Sequence, residues 1–430
     1  MMLLWSLTQA HASCLVVAGA TVHTPEGPEK GLTVVIHDDR IAATGRGVPG
    51  LELKIGATTQ ISGATWRGEV CTFVQGADRH LTPGLVAATT NLGLVEVGLE
   101  RGSRDNDPET DDPIRAALYA SDAYDPLSTV LGVARLEGIT SAVIAPSGGF
   151  IAGHAAFVQL TGRTQAQAVL QPDAAMIGAV PTASWAGGLL QIRELAHDVD
   201  AWRRDRAAFH RGRPAFEGAS DLDLAALVPV FAGDLPLVVG ANDAADLEAL
   251  IRLQQELGIK LVVSGAAEGW LVADALADAK ISVMIDPLVA SPRGFDQLQS
   301  RSDNAVRLHE AGVDVMVHAV GGHHARGLRQ AAGNAVRAGL PSHVALNAIT
   351  EVPSRVFGRP SGGRIAVGAP ADLVLWTGDP LEVTTWSVMV WIDGRPMPTI
   401  SRQSALTGKY RTLTGNNPAA PLPSLEAAAR

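Results

Sequence analysis

The stretch that decides the fold is "LTPGLVAATTNLGLVEVG", Leu81 to Gly98. Before it, from residue 13 to about 80, the chain reads as short strands and turns. "CLVVAGATVHT", "GLTVVIHDD" and "RIAATG" carry β-branched residues in alternation, and Asp38-Asp39 falls at an expected hairpin turn. After Thr82-Pro83-Gly84 the pattern changes. Apolar runs of strand length now alternate with helical periods: "SAVIAPS" (141–147), "LPLVVGA" (235–241), "KLVVSGA" (260–266), "ISVMIDP" (281–287) and "VDVMVHAV" (313–320). Continuous apolar runs suit strands covered on both faces. Between them, "DAADLEALIRLQQELG" (243–258) places Leu247, Leu250, Ile251 and Leu257 on one helical stripe, and 189–210 reads as an amphipathic helix.

This alternation predicts an α/β fold, a (β/α)8 TIM-type barrel over residues 81–359. A doubly wound open sheet is the alternative, but no G-x-G-x-x-G follows a first strand. After residue 360 short strands return in "GGRIAVG", "ADLVLWTG" and "WSVMVWIDGRPM". They are expected to join the N-terminal strands in one small β-sandwich domain, 13–80 plus 360–400, leaving 401–430 as a partly disordered C-terminal extension.

Of the 430 residues 47% are hydrophobic and 18% charged, enough for a large core. The net charge of −10 argues against nucleic acid or an anionic membrane as partner. No run reaches the roughly 20 apolar residues of a membrane span. Leu3 to Leu7 followed by Ala10-His11-Ala12 reads as a signal peptide over 1–12, predicting a periplasmic or secreted protein. The basic n-region is missing, so a cytoplasmic N-terminus is the alternative. Cys14 and Cys71 both fall in the N-terminal β-rich part; a disulfide and two buried thiols are both open. Residues 101–112 pack five carboxylates into 105–112 and read as a solvated loop without calcium-loop spacing.

Four segments, in order, resemble the amidohydrolase superfamily in its imidazolonepropionase-related branch. They are "AGATVHT…VVIHDDRIAATG", "LTPGLV", "EGITSAVIAPSGGFIAGHAAFVQLTG" (137–162) and "GRIAVGAPADLVLWTGDPLEV" (363–383), and the likeness covers about residues 14 to 400. The resemblance implies one or two divalent metals at the C-terminal mouth of the barrel. There a metal lowers the pKa of bound water to about 7 and polarises the scissile carbonyl. The family's ligands are a His-x-His on strand one, often a carboxylated Lys or a Glu mid-barrel, one His on each of two later strands, and an Asp on strand eight. Here the His-x-His positions hold Thr89 and Asn91, the next His position falls at Gly240 with Asn242 just beyond, and the one after at Ser264. The strand-eight Asp falls near Val320 or Gly321. Lys260 and Lys280 stand at the N-terminal ends of their strands, and Lys30, Lys54 and Lys409 lie outside the barrel, so none is placed for a carbamate bridge. The resemblance makes Asp372 a structural residue.

These departures imply a barrel without the standard binuclear site, and no cofactor is expected. Asp286, His318 and His323 remain as candidate catalytic residues that converge at the mouth, with His324, Glu96 and Glu100 nearby; the alternative is one zinc-like divalent metal drawn from them. Each histidine also has a plain structural reading as a hydrogen-bonded core or capping residue. Ser147 in "APSGGF" reads as part of a glycine-rich turn, not a nucleophile elbow. The expected function is a non-catalytic or altered subunit, in a homo- or hetero-oligomer with an active amidohydrolase paralogue. The alternatives are a hydrolase of C–N bonds, amide or cyclic amide, with an atypical metal site, and a binder of a small amide or peptide in the vacated pocket.

Overall fold

The structure, a computed structural model, describes residues 14–55, 61–108, 111–180, 184–212, 218–288, 291–318 and 322–400, with 406, 407 and 410. The expected signal peptide, Val320, Gly321 and nearly all of the expected C-terminal extension lie outside the described residues.

The chain opens with β1 (Cys14–Thr24), β2 (Gly27–His37), β3 (Arg40–Gly45), β4 (Leu51–Ile55), β5 (Ile61–Trp66), β6 (Glu69–Gln75) and β7 (His80–Pro83). Eight strands follow: β8 (Leu85–Thr90), β9 (Ile139–Ile144), β10 (Ile151–Gln159), β11 (Val169–Gly178), β12 (Leu237–Ala241), β13 (Leu261–Gly265), β14 (Ser282–Ile285) and β15 (Val315–Val317). The chain then returns through β16 (Leu373–Trp376), β17 (Ser387–Ile392) and β18 (Arg395–Pro396). The first seven and last three strands share one sheet, ordered β18-β17-β16-β7-β1-β6-β5-β4, with β2 and β3 beside β1. The Asp38-Asp39 turn joins β2 to β3, Asp38 taking a left-handed φ of 54°. Short polar Asp tolerates that conformation better than most residues.

Cys14 and Cys71 form a disulfide with Cα atoms 4.6 Å apart, which resolves the two readings left open by the sequence. Both are buried, packed with Val16, Val35 and Trp66. Asp372 is half-buried and ties the sheet to the barrel. Its carbonyl accepts from Gly84 N at 2.8 Å, and its carboxylate accepts from Asp393 N at 2.8 Å.

The second sheet is a TIM-type barrel, with one departure from strict strand–helix alternation. β8 pairs parallel with β9, and β11 through β15 pair parallel in succession, but β10 runs antiparallel to both β9 and β11. Only residues 145–150 separate β9 from β10, too few for a crossover helix, so the chain turns back as a hairpin. The seam between β15 and β8 is bridged by main chain: Val317 N donates to Ala348 O at 3.0 Å and Val86 N to Ile349 O at 2.8 Å.

Alternation along the strands sends two sets of side chains in opposite directions. Val86, Ala88, Val143, Ala155, Phe157, Val238, Val262, Met284 and Met316 fill the lumen, with Phe357 closing its lower end. Leu85, Ala87, Leu237, Val239, Leu261, Val263, Val283 and Ile285 face the surrounding helices. The helix Ala244–Leu257 starts on Asp243, whose side chain accepts from Ala245 N, and stops at Gly258, left-handed at φ 68°. It buries Leu247, Leu250, Ile251 and Leu253, each contributing about 1.5–3 kcal/mol. The helix expected at 189–210 is two, Trp185–Arg204 and Arg206–Arg211. Asp205 breaks it, because its side chain accepts from Ala208 N and caps a new helix.

Candidate active site at the barrel mouth

The mouth gathers the carboxyl ends of the seven strands that run together. On β8 the pairing with β9 slips between Ala87 and Thr90, and Thr89 takes a left-handed φ of 45°. For a β-branched residue this is a strained conformation, of order 1–3 kcal/mol, held by its surroundings. The slip turns Thr89 toward the lumen, where its hydroxyl donates to Met284 Sδ at 3.5 Å. Asn91 begins the following turn, its carbonyl accepting from Leu94 N and Val95 N.

Gly240, Ser264 and Met284 stand side by side in register across β12, β13 and β14. Gly240 is exposed, and a Cβ there would meet only Ser264 O, at 3.9 Å. Asn242 donates from Nδ2 to Asp296 Oδ2 at 2.7 Å, and so holds the 291–300 segment across the rim. Gly265, left-handed at φ 107°, leaves the space that the Asn242 amide oxygen fills. Asp286 accepts from Leu288 N at 3.0 Å and lies 3.5 Å from Arg293 Nη1. His318 donates its main-chain N–H to Ile285 O at 2.9 Å. Burial pulls its imidazole below its ordinary pKa, opposed by the nearby Asp286 charge and by a hydrogen bond to the Thr89 main chain.

Of the three candidate catalytic residues, Asp286 and His318 therefore come together, beside Thr89. The His323 side chain lies outside the described residues. His324 does not join them: it is exposed and lines a separate cleft of about 430 Å³ with Glu137, Arg329 and Trp386. Glu96 accepts from Thr129 N and Oγ1, and Glu100 from Gly102 N, so these two carboxylates serve loop structure.

Three features escaped the sequence reading. Asp296 pins the rim segment. Met284 supports Thr89 from the lumen, a role that a strand methionine does not advertise. The third corrects the expectation of a wholly solvated 101–112 loop. Asp107 Oδ1 lies 3.1 Å from Nη1 of buried Arg115, whose Nη2 donates to Ser147 O at 3.2 Å. Gly148 and Gly149 permit this approach, since a Cβ on either would stand 2.6 or 2.8 Å from Arg115 Nη2. Two glycines beside Ser147, with an Arg after an acidic run, were the available signal.

Chemically, the described mouth offers the His318 imidazole, the Asp286 carboxylate, the Asp296 carboxylate already held by Asn242, and several neutral hydroxyl and amide groups. It can bind polar groups and move one proton. Among the described residues, no group of three or more His, Cys, Asp or Glu side chains is placed to hold a metal ion.

The fold is a TIM-type barrel, and the candidate site lies at the carboxyl ends of its strands, where sites on this fold are built. Residues 311–398 match the model of the amidohydrolase family. The amidohydrolase tasK of Hapsidospora irregularis is 25% identical over 365 residues, spanning 74% of this chain and 36% of that protein. This chain thus covers about a third of that curated relative's length. Among solved structures, an amidohydrolase from Thermotoga maritima MSB8 superposes with a TM-score of 0.75 at 21% identity, over 90% of this chain and all of the other. Molinate hydrolase superposes with a TM-score of 0.54 at 16% identity, over 90% of this chain and 95% of the other. Over its barrel and part of its sheet, the chain is thus similar to amidohydrolases.

Proposed function

We propose that this chain is an altered superfamily member, a non-catalytic or modified subunit that keeps the barrel as a scaffold and partners an active amidohydrolase paralogue. The donor set at the mouth carries the reading. A binuclear centre needs several imidazole and carboxylate ligands. The corresponding positions hold Thr89, Asn91, Gly240, Asn242 and Ser264. Neutral oxygen donors are weak for zinc beside imidazole or carboxylate. Asn242 is already bonded to Asp296, Thr89 to Met284, and Asp286 to Leu288 N with Arg293 beside it. The described residues do not fit the metal pair that the family implies.

Two further parts belong to the same proposal. The buried Cys14–Cys71 disulfide favours an oxidising compartment, in keeping with export. No helix among the described residues is long and apolar enough to cross a membrane. Glu96 brings the 96–99 and 127–129 segments together, and both carry exposed apolar side chains, Val97, Leu99 and Leu127, on which a second subunit could pack.

The test is isolation of the tagged full chain from its native host. A stoichiometric superfamily partner with an intact His-x-His, and amide hydrolysis by the complex but not by the chain alone, is the expected outcome. A lone chain that hydrolyses amides would contradict the proposal. That second outcome is the reading of a C–N hydrolase built on Asp286 and His318. It is favoured by one observation: His318 is held neutral by burial with a carboxylate nearby, as a general base requires.

A further inference from the structure

The cleft that His324 lines, apart from the mouth, lies where the barrel meets the small sheet. Its volume of about 430 Å³ is in the range of small-ligand sites. One wall is the stretch 324–330, which leads into the helix Leu328–Arg337 and carries Arg326. The other is 381–386, in the connection from β16 to β17, which carries Glu382, Val383 and Trp386.

Buried Arg329 fastens the two walls together. Its Nη1 donates to Pro380 O at 2.8 Å. Its Nη2 donates to Thr385 O at 3.2 Å and to Glu137 Oε2 at 3.0 Å. Gly333 lets the connection approach the helix, since a Cβ there would stand 2.7 Å from Leu381 O. Ser387 Oγ donates to Leu136 O at 2.6 Å, which holds the chain at Trp386 against the segment that carries Glu137.

This clamp neutralises one charge of each sign, Arg329 with Glu137. Two more remain. Arg326 on the first wall and Glu382 on the second are exposed, and neither side chain makes a hydrogen bond or ion pair among the described residues. A ligand of a single charge would find a partner on one wall and its like charge on the other. A zwitterion finds an opposite charge on both. The cleft also carries uncovered apolar surface. Trp386 is 67% exposed and Val383 70%, and among the described tryptophans Trp386 alone is exposed. An indole left in water beside two free charges marks a surface that a ligand can cover.

We infer that this cleft binds an α-amino acid with an apolar side chain, its carboxylate on Arg326, its ammonium on Glu382 and its side chain against Trp386 and Val383. The site shares no residue with the mouth and does not depend on the proposed function.

The experiment is calorimetric titration of the full chain with L-phenylalanine, beside glycine, phenethylamine and hydrocinnamate. One L-phenylalanine is expected per chain. Glycine is expected to bind at least roughly tenfold more weakly, because it lacks the apolar side chain. Phenethylamine and hydrocinnamate each keep one of the two charges and are expected to bind roughly threefold to tenfold more weakly. Arg326→Gln should lower L-phenylalanine to the level of phenethylamine and leave phenethylamine undiminished. Glu382→Gln should lower it to the level of hydrocinnamate and leave hydrocinnamate undiminished. His318→Ala at the mouth should bind as the wild type does. No L-phenylalanine binding at tens of millimolar, equal affinity for any of the three fragments, unchanged L-phenylalanine binding in either charge variant, or loss of binding in His318→Ala would each overturn the assignment.

Discussion

A histidine pair of the small sheet, His23 buried and His80 half-buried, makes the sharpest stability prediction. His23 on β1 and His80 on β7 touch through Nε2 and Nδ1 at 2.8 Å. Burial first, and then the neighbouring His80, lower His23 from 6.5 to about 4, with Asp379 opposing. The folded state therefore resists a proton that the unfolded chain accepts. This contribution is present above pH 6.5 and is lost as pH falls toward 4. The gap between 6.5 and about 4, at 1.36 kcal/mol per pH unit, gives about 3 kcal/mol. The perturbation is His23→Gln, which keeps a polar side chain but does not titrate. The assay is denaturant unfolding followed by tryptophan fluorescence from pH 4 to 7.5, read as the difference between variant and wild type. That difference should move by about 3 kcal/mol in the variant's favour between pH 6.5 and 4. Parallel losses for the two proteins across this range would refute the reasoning.

Asp372 has the opposite slope. Burial, and then the Asp393 charge, raise it from 3.8 to about 6. Its contribution is complete below pH 3.8 and is lost as pH rises through 6, about 3 kcal/mol in all. Asp372→Asn should abolish that loss, checked by the same pH-dependent unfolding difference. Gly138→Ala should destabilise by about 2–4 kcal/mol, because a Cβ there would stand 2.6 Å from Trp376 Cζ2 on a backbone at φ 83°; a melting curve checks it. Cys71→Ala opens a cross-link spanning 57 residues, a loss of about 4 kcal/mol by loop entropy. The variant's melting temperature should match that of the reduced wild type.

The barrel was legible because its strands are continuous apolar runs and its helices carry the 3.6 period. β12 to β15 lie within the runs picked out at 235–241, 260–266, 281–287 and 313–320, though β15 stops at Val317. The inverted β10 was not legible. "IAGHAAFVQ" is buried at every position, and a strand covered on both faces has no pattern that reports its direction. The cysteine pairing was open for a related reason: pairing depends on Cα separation, which spacing of 57 residues does not fix. At the mouth, the convergence of Asp286 and His318 followed from strand ends alone. The Thr89 slip and the Asn242–Asp296 contact did not, since one is a backbone conformation and the other joins residues 54 apart in a loop.

The most direct test of the proposed function is metal content. The full chain, purified without chelator and then equilibrated with zinc, manganese or iron, is analysed by elemental mass spectrometry alongside Asp286→Ala and His318→Ala. The account predicts well below one metal per chain, with no difference between wild type and variants. Stoichiometric metal in the wild type that disappears in either variant would contradict it.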